Sequence, residues 1–247
     1  MKKTILIFIA LINVFSFQIL AQKKFEIADY AKMVSLSDPQ ISPDGKSVVI
    51  VVSRPDYDKN RYNPELVLIN VASGKKTTLT QNRLAVSSPR WSPNGEQLAF
   101  ISKDGESKEA ENQIFLLSMQ GGEAKQITKA PKGVQHFAWS PNSIEIAYAS
   151  LNEPKNKAEI EKGFTAFEIA NNDMFVGSQP LPAHIWLVNT STSENKRLTD
   201  GEWTLPLVIP PGAPSSPFSW SPDGKTILFV KVVSPYSGDK QFSTIQL

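Results

Sequence analysis

Four acidic side chains within one polar stretch, Glu159, Glu161, Glu168 and Asp173, have the residue types best suited to chemistry in this sequence. A carboxylate held in a cavity binds a cationic group, such as a peptide amine, through charge-assisted hydrogen bonds. The same residues suit a solvated surface loop, which is how most charge runs are used. Other candidates are few. The two histidines, His136 and His184, have no metal-ligand spacing between them, and the chain contains no cysteine. A serine nucleophile often sits on a Gly-x-Ser-x-Gly elbow between strand and helix. That pentapeptide does not occur, and neither does a glycine-rich phosphate loop. Both histidines are therefore expected to be structural, and the sequence offers no catalytic group, metal site or cofactor site.

The elements that would position the acidic stretch are written as a repeat. A Ser-Pro turn occurs four times, as ISPDGK (41–46), WSPNGE (91–96), WSPNSI (139–144) and WSPDGK (220–225). An apolar run follows three of them: ELVLIN (65–70), QIFLLS (113–118) and HIWLVN (184–189). A third marker is the pair Leu79-Thr80, Ile127-Thr128 and Leu198-Thr199. The markers keep step: Pro93 follows Thr80 by 13 residues, and Pro141 follows Thr128 by 13.

In each turn Ser suits the first position, and Pro43, Pro93, Pro141 or Pro222 pre-sets φ at the second. Gly45, Gly95 and Gly224 supply the left-handed conformation that closes the turn. Ser143 stands where the third copy would have glycine. Trp91, Trp139 and Trp220 end the strand before the turn, where a large ring can cover the neighbouring sheet, and the first copy has Ile41 there. β-branched and aromatic runs flank every turn, so each repeat reads as two hairpins, or four short strands, in about 40–50 residues. That period predicts an all-β fold, a partial β-propeller, rather than a β-sandwich. The blades fall at about 36–82, 83–130, 131–200 and 214–247, counting three blades and the first half of a fourth. FSTIQL (242–247) resembles the start of the next apolar run. Closed propellers have four to eight blades, so a fragment of a longer polypeptide or an incomplete gene product is expected.

Two stretches are longer than the repeat requires. The third blade carries about 23 extra residues within roughly 152–182, where KNKAEIEKG reads as one or two helical turns ended by Gly163. The four acidic candidates lie here. About ten more fall in the proline-rich DGEWTLPLVIPPGAPSSPF (200–218). Inserted loops on a repeat scaffold are common sites of function.

Composition excludes several classes. The 247 residues are 40% hydrophobic, with 18 Pro, 13 Gly and a net charge of +2. No basic stripe points to nucleic acid. Lys2 and Lys3 precede the apolar TILIFIALINVFSFQIL, followed by Ala21. This reads as a secretory signal peptide over residues 1–21, with no membrane attachment once it is removed and an exported destination, periplasmic or extracellular. The alternative is an uncleaved anchor, for which the apolar run is short.

The string VSLSDPQISPDGKSVVIVVSRPDYDKNRYNPELVLINVASGKKTTLT (34–80) resembles the opening blade of exported bacterial peptidases of the prolyl oligopeptidase family, in its dipeptidyl-peptidase and acylaminoacyl-peptidase-like members. WSPNGEQLAFIS, GGEAKQITKAPKGVQHFAWSP, AHIWLVN and PPGAPSSPFSWSPDGK extend that resemblance over essentially the whole chain beyond residue 21. The Ser-Pro-Asp-Gly turn is also shared with TolB-like periplasmic propellers. The resemblance implies a propeller of about seven blades followed by an α/β-hydrolase domain that carries a Ser, Asp and His. It implies a propeller that limits access to short peptides and helps form their cavity. In dipeptidyl-peptidase-like members a glutamate pair from a propeller insertion holds the substrate amine. The insertion here has Glu159, Glu161 and Glu168, but no adjacent pair. None of the family's catalytic residues falls on this chain. The expected function is a non-catalytic, substrate-gating propeller portion of a secreted serine peptidase acting on short peptides, truncated before the hydrolase domain that would complete the peptide site. The alternative is a free-standing TolB-like propeller that binds proteins.

Overall fold

The computed structural model describes residues 24–103, 105, 110–167, 181–206, 218–233 and 240–247. The chain divides into two units, residues 1–33 and 34–247. The expected signal peptide lies outside the described residues. In the first unit Ile27–Lys32 forms a 3-10 helix. Asp29 anchors it by accepting the Glu26 N–H at 3.0 Å and the Lys32 ammonium at 2.7 Å. No described helix is long and apolar enough to cross a membrane.

The second unit is a partial β-propeller. Its strands are β1 (Ser35–Ile41), β2 (Ser47–Asp56), β3 (Arg61–Asn70) and β4 (Lys76–Thr78), then β5 (Leu84–Trp91), β6 (Gln97–Lys103), β7 (Asn112–Ser118) and β8 (Lys125–Gln126). They continue as β9 (His136–Trp139), β10 (Glu145–Leu151), β11 (Ala183–Asn189) and β12 (Asn195–Arg197), and end with β13 (Phe218–Trp220), β14 (Thr226–Val232) and β15 (Lys240–Gln246). Each sheet is antiparallel and keeps chain order, giving three four-stranded blades and one of three strands. The fourth blade extends beyond the half blade counted from turns, because β15 pairs with β14 along its whole length, from Lys240↔Val232 to Gln246↔Thr226. A short helix, α1 (Lys157–Glu161), lies in the connection from β10 to β11. Gly163 follows it at φ +92°, where the helix stops.

Burial along the strands shows how the blades stack. The five central residues of β6, β7 and β10 are all buried, which requires a cover on both faces of the sheet. By contrast, β14 alternates in its first half: Ile227 and Phe229 are buried while Leu228 is 47% exposed. Three apolar clusters fill the seams. Val49, Val51, Leu66, Leu98 and Phe100 join the first two blades. Ile101, Ile114, Phe137, Ile146 and Tyr148 join the second and third. Ala147, Ile185, Phe218, Ile227 and Phe229 join the third and fourth. Fully burying each large side chain is worth about 1.5–3 kcal/mol, so the seams supply most of the cohesion in a chain without disulfides.

The repeated markers have specific contacts at these seams. Each motif tryptophan donates its indole N–H to a carbonyl of the preceding blade: Trp91 to Gln40 at 3.2 Å, Trp139 to Arg90 at 3.0 Å and Trp220 to Ala138 at 3.2 Å. The turn serine also recurs in one arrangement. Its hydroxyl donates to the Asx side chain two residues on, as in Ser42–Asp44 (2.6 Å) and Ser92–Asn94 (2.7 Å), and in Ser140–Asn142 and Ser221–Asp223. The same oxygen accepts the backbone N–H five residues on, at Ser47, Gln97, Glu145 and Thr226. The threonine marker clasps the outer strands: Thr80, Thr128 and Thr199 accept the N–H of Leu66, Ile114 and Ile185, each at 2.9 Å.

Candidate functional site

Antiparallel order divides the connections between two rims. The Ser-Pro turns lie on one, and the β2–β3 and blade-to-blade connections open on the other. Both long connections, β10 to β11 and β12 to β13, therefore emerge on the rim opposite the turns. On the turn rim, neighbouring copies stack. A methyl group placed on Gly95 would meet the Pro43 ring at 3.6 Å, and one on Gly224 would meet the Pro141 ring at 3.5 Å. Gly45, Gly95 and Gly224 have φ of +71°, +75° and +70°, and Ser143 takes the same conformation at +63°. Its hydroxyl accepts the Asn94 N–H at 3.1 Å, a blade-to-blade hydrogen bond that glycine cannot make.

A cavity of about 540 Å³ lies beside the long β10–β11 connection. Its walls come from the third blade and from residues 129–131, which lead out of the second. Register explains the wall: Tyr148 pairs with Trp186 across β10 and β11, and Trp186 with Arg197 across β11 and β12. Strand alternation turns these side chains to one face. The Tyr148 and Trp186 rings stack 6.4 Å apart at 18°, and the Arg197 guanidinium lies 5.7 Å from the Trp186 ring centre. Tyr148 donates its hydroxyl to Asn195 Oδ1 at 2.7 Å. Burial pushes the phenol up to about 12, so it remains protonated at neutral pH. Arg197 Nε donates to the Thr199 carbonyl at 2.7 Å. Trp186 Nε1 is buried without a hydrogen-bond partner among the described residues.

Two of the four acidic candidates fall among the described residues. Glu159 and Glu161 are exposed on α1 and form no part of its described lining. Glu168 and Asp173 lie outside the described residues. The lining carboxylate is Glu153, which accepts a hydrogen bond from Lys157 Nζ at 2.6 Å. Neither Trp186 nor Arg197 stood out in the sequence, because each occupies an ordinary strand position. Only their cross-strand registration brings them together.

A second polar cluster lies where the first strands of successive blades approach one another. Asp38 accepts Arg90 Nη1 at 2.8 Å and Gln40 Nε2 at 2.7 Å. Asp38 has φ +48° within a register shift of β1, and β5 contains two further shifts with Ala85 and Ser88 at +56° and +53°. These bulges re-aim side chains of the first strands. His136 lies edge-on to Phe218, ring centres 5.2 Å apart. Burial, and then the Arg90 charge, lower its pKa to about 4. His184 is fully buried, with Nδ1 3.3 Å from the Thr199 hydroxyl and its ring edge-on to Trp203 at 4.8 Å. Its pKa is also lowered to about 4, first by burial and then by Arg197. Both imidazoles are neutral at pH 7 and take part in packing. Among the described residues no group of three His, Cys, Asp or Glu could hold a metal ion.

Known proteins share this architecture. The chain is 33% identical over 82 residues to the uncharacterized peptidase YuxL of Bacillus subtilis, a match covering 33% of this chain and 12% of that protein. It is 32% identical over 74 residues to dipeptidyl-peptidase 5 of Porphyromonas gingivalis, covering 30% of this chain and 11% of the relative. The chain thus matches only about a tenth of the length of these curated relatives. Among solved structures, Pyrococcus horikoshii acylaminoacyl peptidase superposes with a TM-score of 0.59 at 16% identity, covering 91% of this chain and 34% of that one. The β-propeller domain of the Trilobed protease from Pyrococcus furiosus gives 0.52 at 17% identity, covering 88% and 59%. The TolB beta propeller domain family matches residues 12–173, well over half of the sequence. Repeat, blade packing and match agree: the chain belongs to the TolB beta propeller domain family.

Proposed function

We propose that this chain is the substrate-gating and docking propeller of an exported serine peptidase acting on short peptides, with catalysis supplied by an α/β-hydrolase domain. The observation that carries this reading is the match of its blades to YuxL and dipeptidyl-peptidase 5, both named as peptidases. The fold likeness to acylaminoacyl peptidase supports it. So does the strand order, in which the strand ends that flank both long connections lie on one rim. Export follows from the reading of residues 1–21 as a signal peptide, and N-terminal sequencing of the secreted product should begin at Gln22. Purified 22–247 should not turn over dipeptidyl or N-acyl-aminoacyl chromogenic substrates. Turnover by this chain alone, unaffected by further purification, would overturn the non-catalytic role.

A second reading, a free-standing propeller that binds other proteins, is favoured by the family match itself and by the likeness to the putative TolB of Agrobacterium tumefaciens, with a TM-score of 0.53 at 18% identity. It requires that 22–247 be soluble and monodisperse. Size-exclusion chromatography and circular dichroism decide that point, and aggregation or lost β-structure would count against it.

A further inference from the structure

We propose that the cavity between the second and third blades is a binding site for an apolar carboxylate: an anionic carboxyl group on an aromatic or branched body, as at the C-terminus of a short peptide or in an N-acyl amino acid. The site stands on its own geometry and does not depend on the peptidase reading.

Three features select this ligand class. The first is the wall: Tyr148, Trp186, Leu151 and Pro131 form an apolar surface around about 540 Å³, the size range of small-molecule pockets. The second is a set of donors. Trp186 contributes wall and no donor, because its Nε1 is closed off from the cavity by burial. Arg197 uses Nε on the Thr199 carbonyl and lies over the Trp186 ring, and its terminal nitrogens have no hydrogen-bond partner among the described residues. Lys129, exposed at the mouth, makes no hydrogen bond or ion pair among the described residues. The third is charge. Glu153 is the lining carboxylate and already carries Lys157 at 2.6 Å, leaving the Lys129 and Arg197 charges unopposed at the lining. A cationic ligand would face two positive groups, whereas a carboxylate meets donors that lack an acceptor. The apolar body would lie on the Tyr148–Trp186 wall.

The test is calorimetric titration of the full chain with N-acetyl-L-phenylalanine, its amide, acetate, and the tripeptide Ala-Ala-Phe. N-acetyl-L-phenylalanine should bind about tenfold more tightly than its amide, since neutralising the ligand removes a charge-assisted bond, and acetate, which has no apolar body, should not bind measurably. Tripeptide binding stronger than that of the single residue assigns the site to peptide C-termini. Weaker tripeptide binding assigns it to N-acyl amino acids. Lys129→Gln, an exposed loop change, and Arg197→Gln should each weaken binding several-fold, and Trp186→Ala, which removes the wall, should weaken it as well. Equal affinity for acid and amide would overturn the proposal. So would no binding of N-acetyl-L-phenylalanine at millimolar concentration, or affinities unchanged in the exposed Lys129→Gln variant.

Discussion

The Ser-Pro motif divides its work among single residues, and each share can be measured. Trp139→Phe keeps an aromatic ring, though a smaller one, and removes the donor to the Arg90 carbonyl. It should cost about 0.5–1.5 kcal/mol in chemical denaturation. An unchanged midpoint would remove the staple from the account. Ser143 gives a sharper comparison. Ser143→Ala keeps the left-handed strain of about 1–2 kcal/mol and loses the hydroxyl bond to Asn94. Ser143→Gly loses the same bond but relieves the strain. The glycine variant should therefore be more stable than the alanine variant by about 1 kcal/mol. Thr128 accepts the Ile114 N–H and donates to Gln113 Oε1 at 2.8 Å while fully buried. Thr128→Val should cost about 1–3 kcal/mol, because the buried Ile114 N–H loses its acceptor, while Gln113 Oε1 keeps the Ala130 N–H.

At the scale of the element, the turns and strands were legible because their signals are local. A Ser-Pro-Asx-Gly string sets its own hairpin, and β-branched runs such as SVVIVV form the strand beside it. Contacts that depend on registration were not legible. Trp186 and Arg197 are eleven residues apart in sequence and meet only because β11 pairs with β12. The bulges at Asp38 and Ser88 were equally hidden, since nothing in LSDPQ or VSSPR distinguishes a left-handed residue before proline from an extended one. The acidic stretch is described only in part: Glu159 and Glu161 are exposed on α1, and Glu168 and Asp173 lie outside the described residues. Charge marks a loop as solvated, and it does not say which carboxylate faces a cavity; Glu153, at the edge of the insertion, does so. Continuous burial of β10 predicts that Ile146→Ala, at a fully buried position between two blades, costs about 2–5 kcal/mol. A loss below 1 kcal/mol in a urea titration would mean that the second blade does not cover that face.

For the whole molecule, stability is tied to pH through both histidines. Each imidazole titrates near 6.5 in an unfolded chain and near 4 in the fold. Between these values the unfolded state binds more protons, so stability is fully present above pH 6.5 and declines as pH falls toward 4. The pair should contribute on the order of 2–3 kcal/mol to that decline, allowing for solvent at the half-buried His136. Urea midpoints at pH 7.5 and 4.5 measure it, and His184→Gln should flatten part of the slope. The proposed role is that of a propeller serving a peptidase whose chemistry lies in a separate hydrolase domain. The most direct measurement is the transcript sequence beyond codon 247. The proposed role requires an in-frame or frameshifted α/β-hydrolase segment carrying Gly-x-Ser-x-Gly; a transcript without one would overturn it and leave the protein-binding propeller.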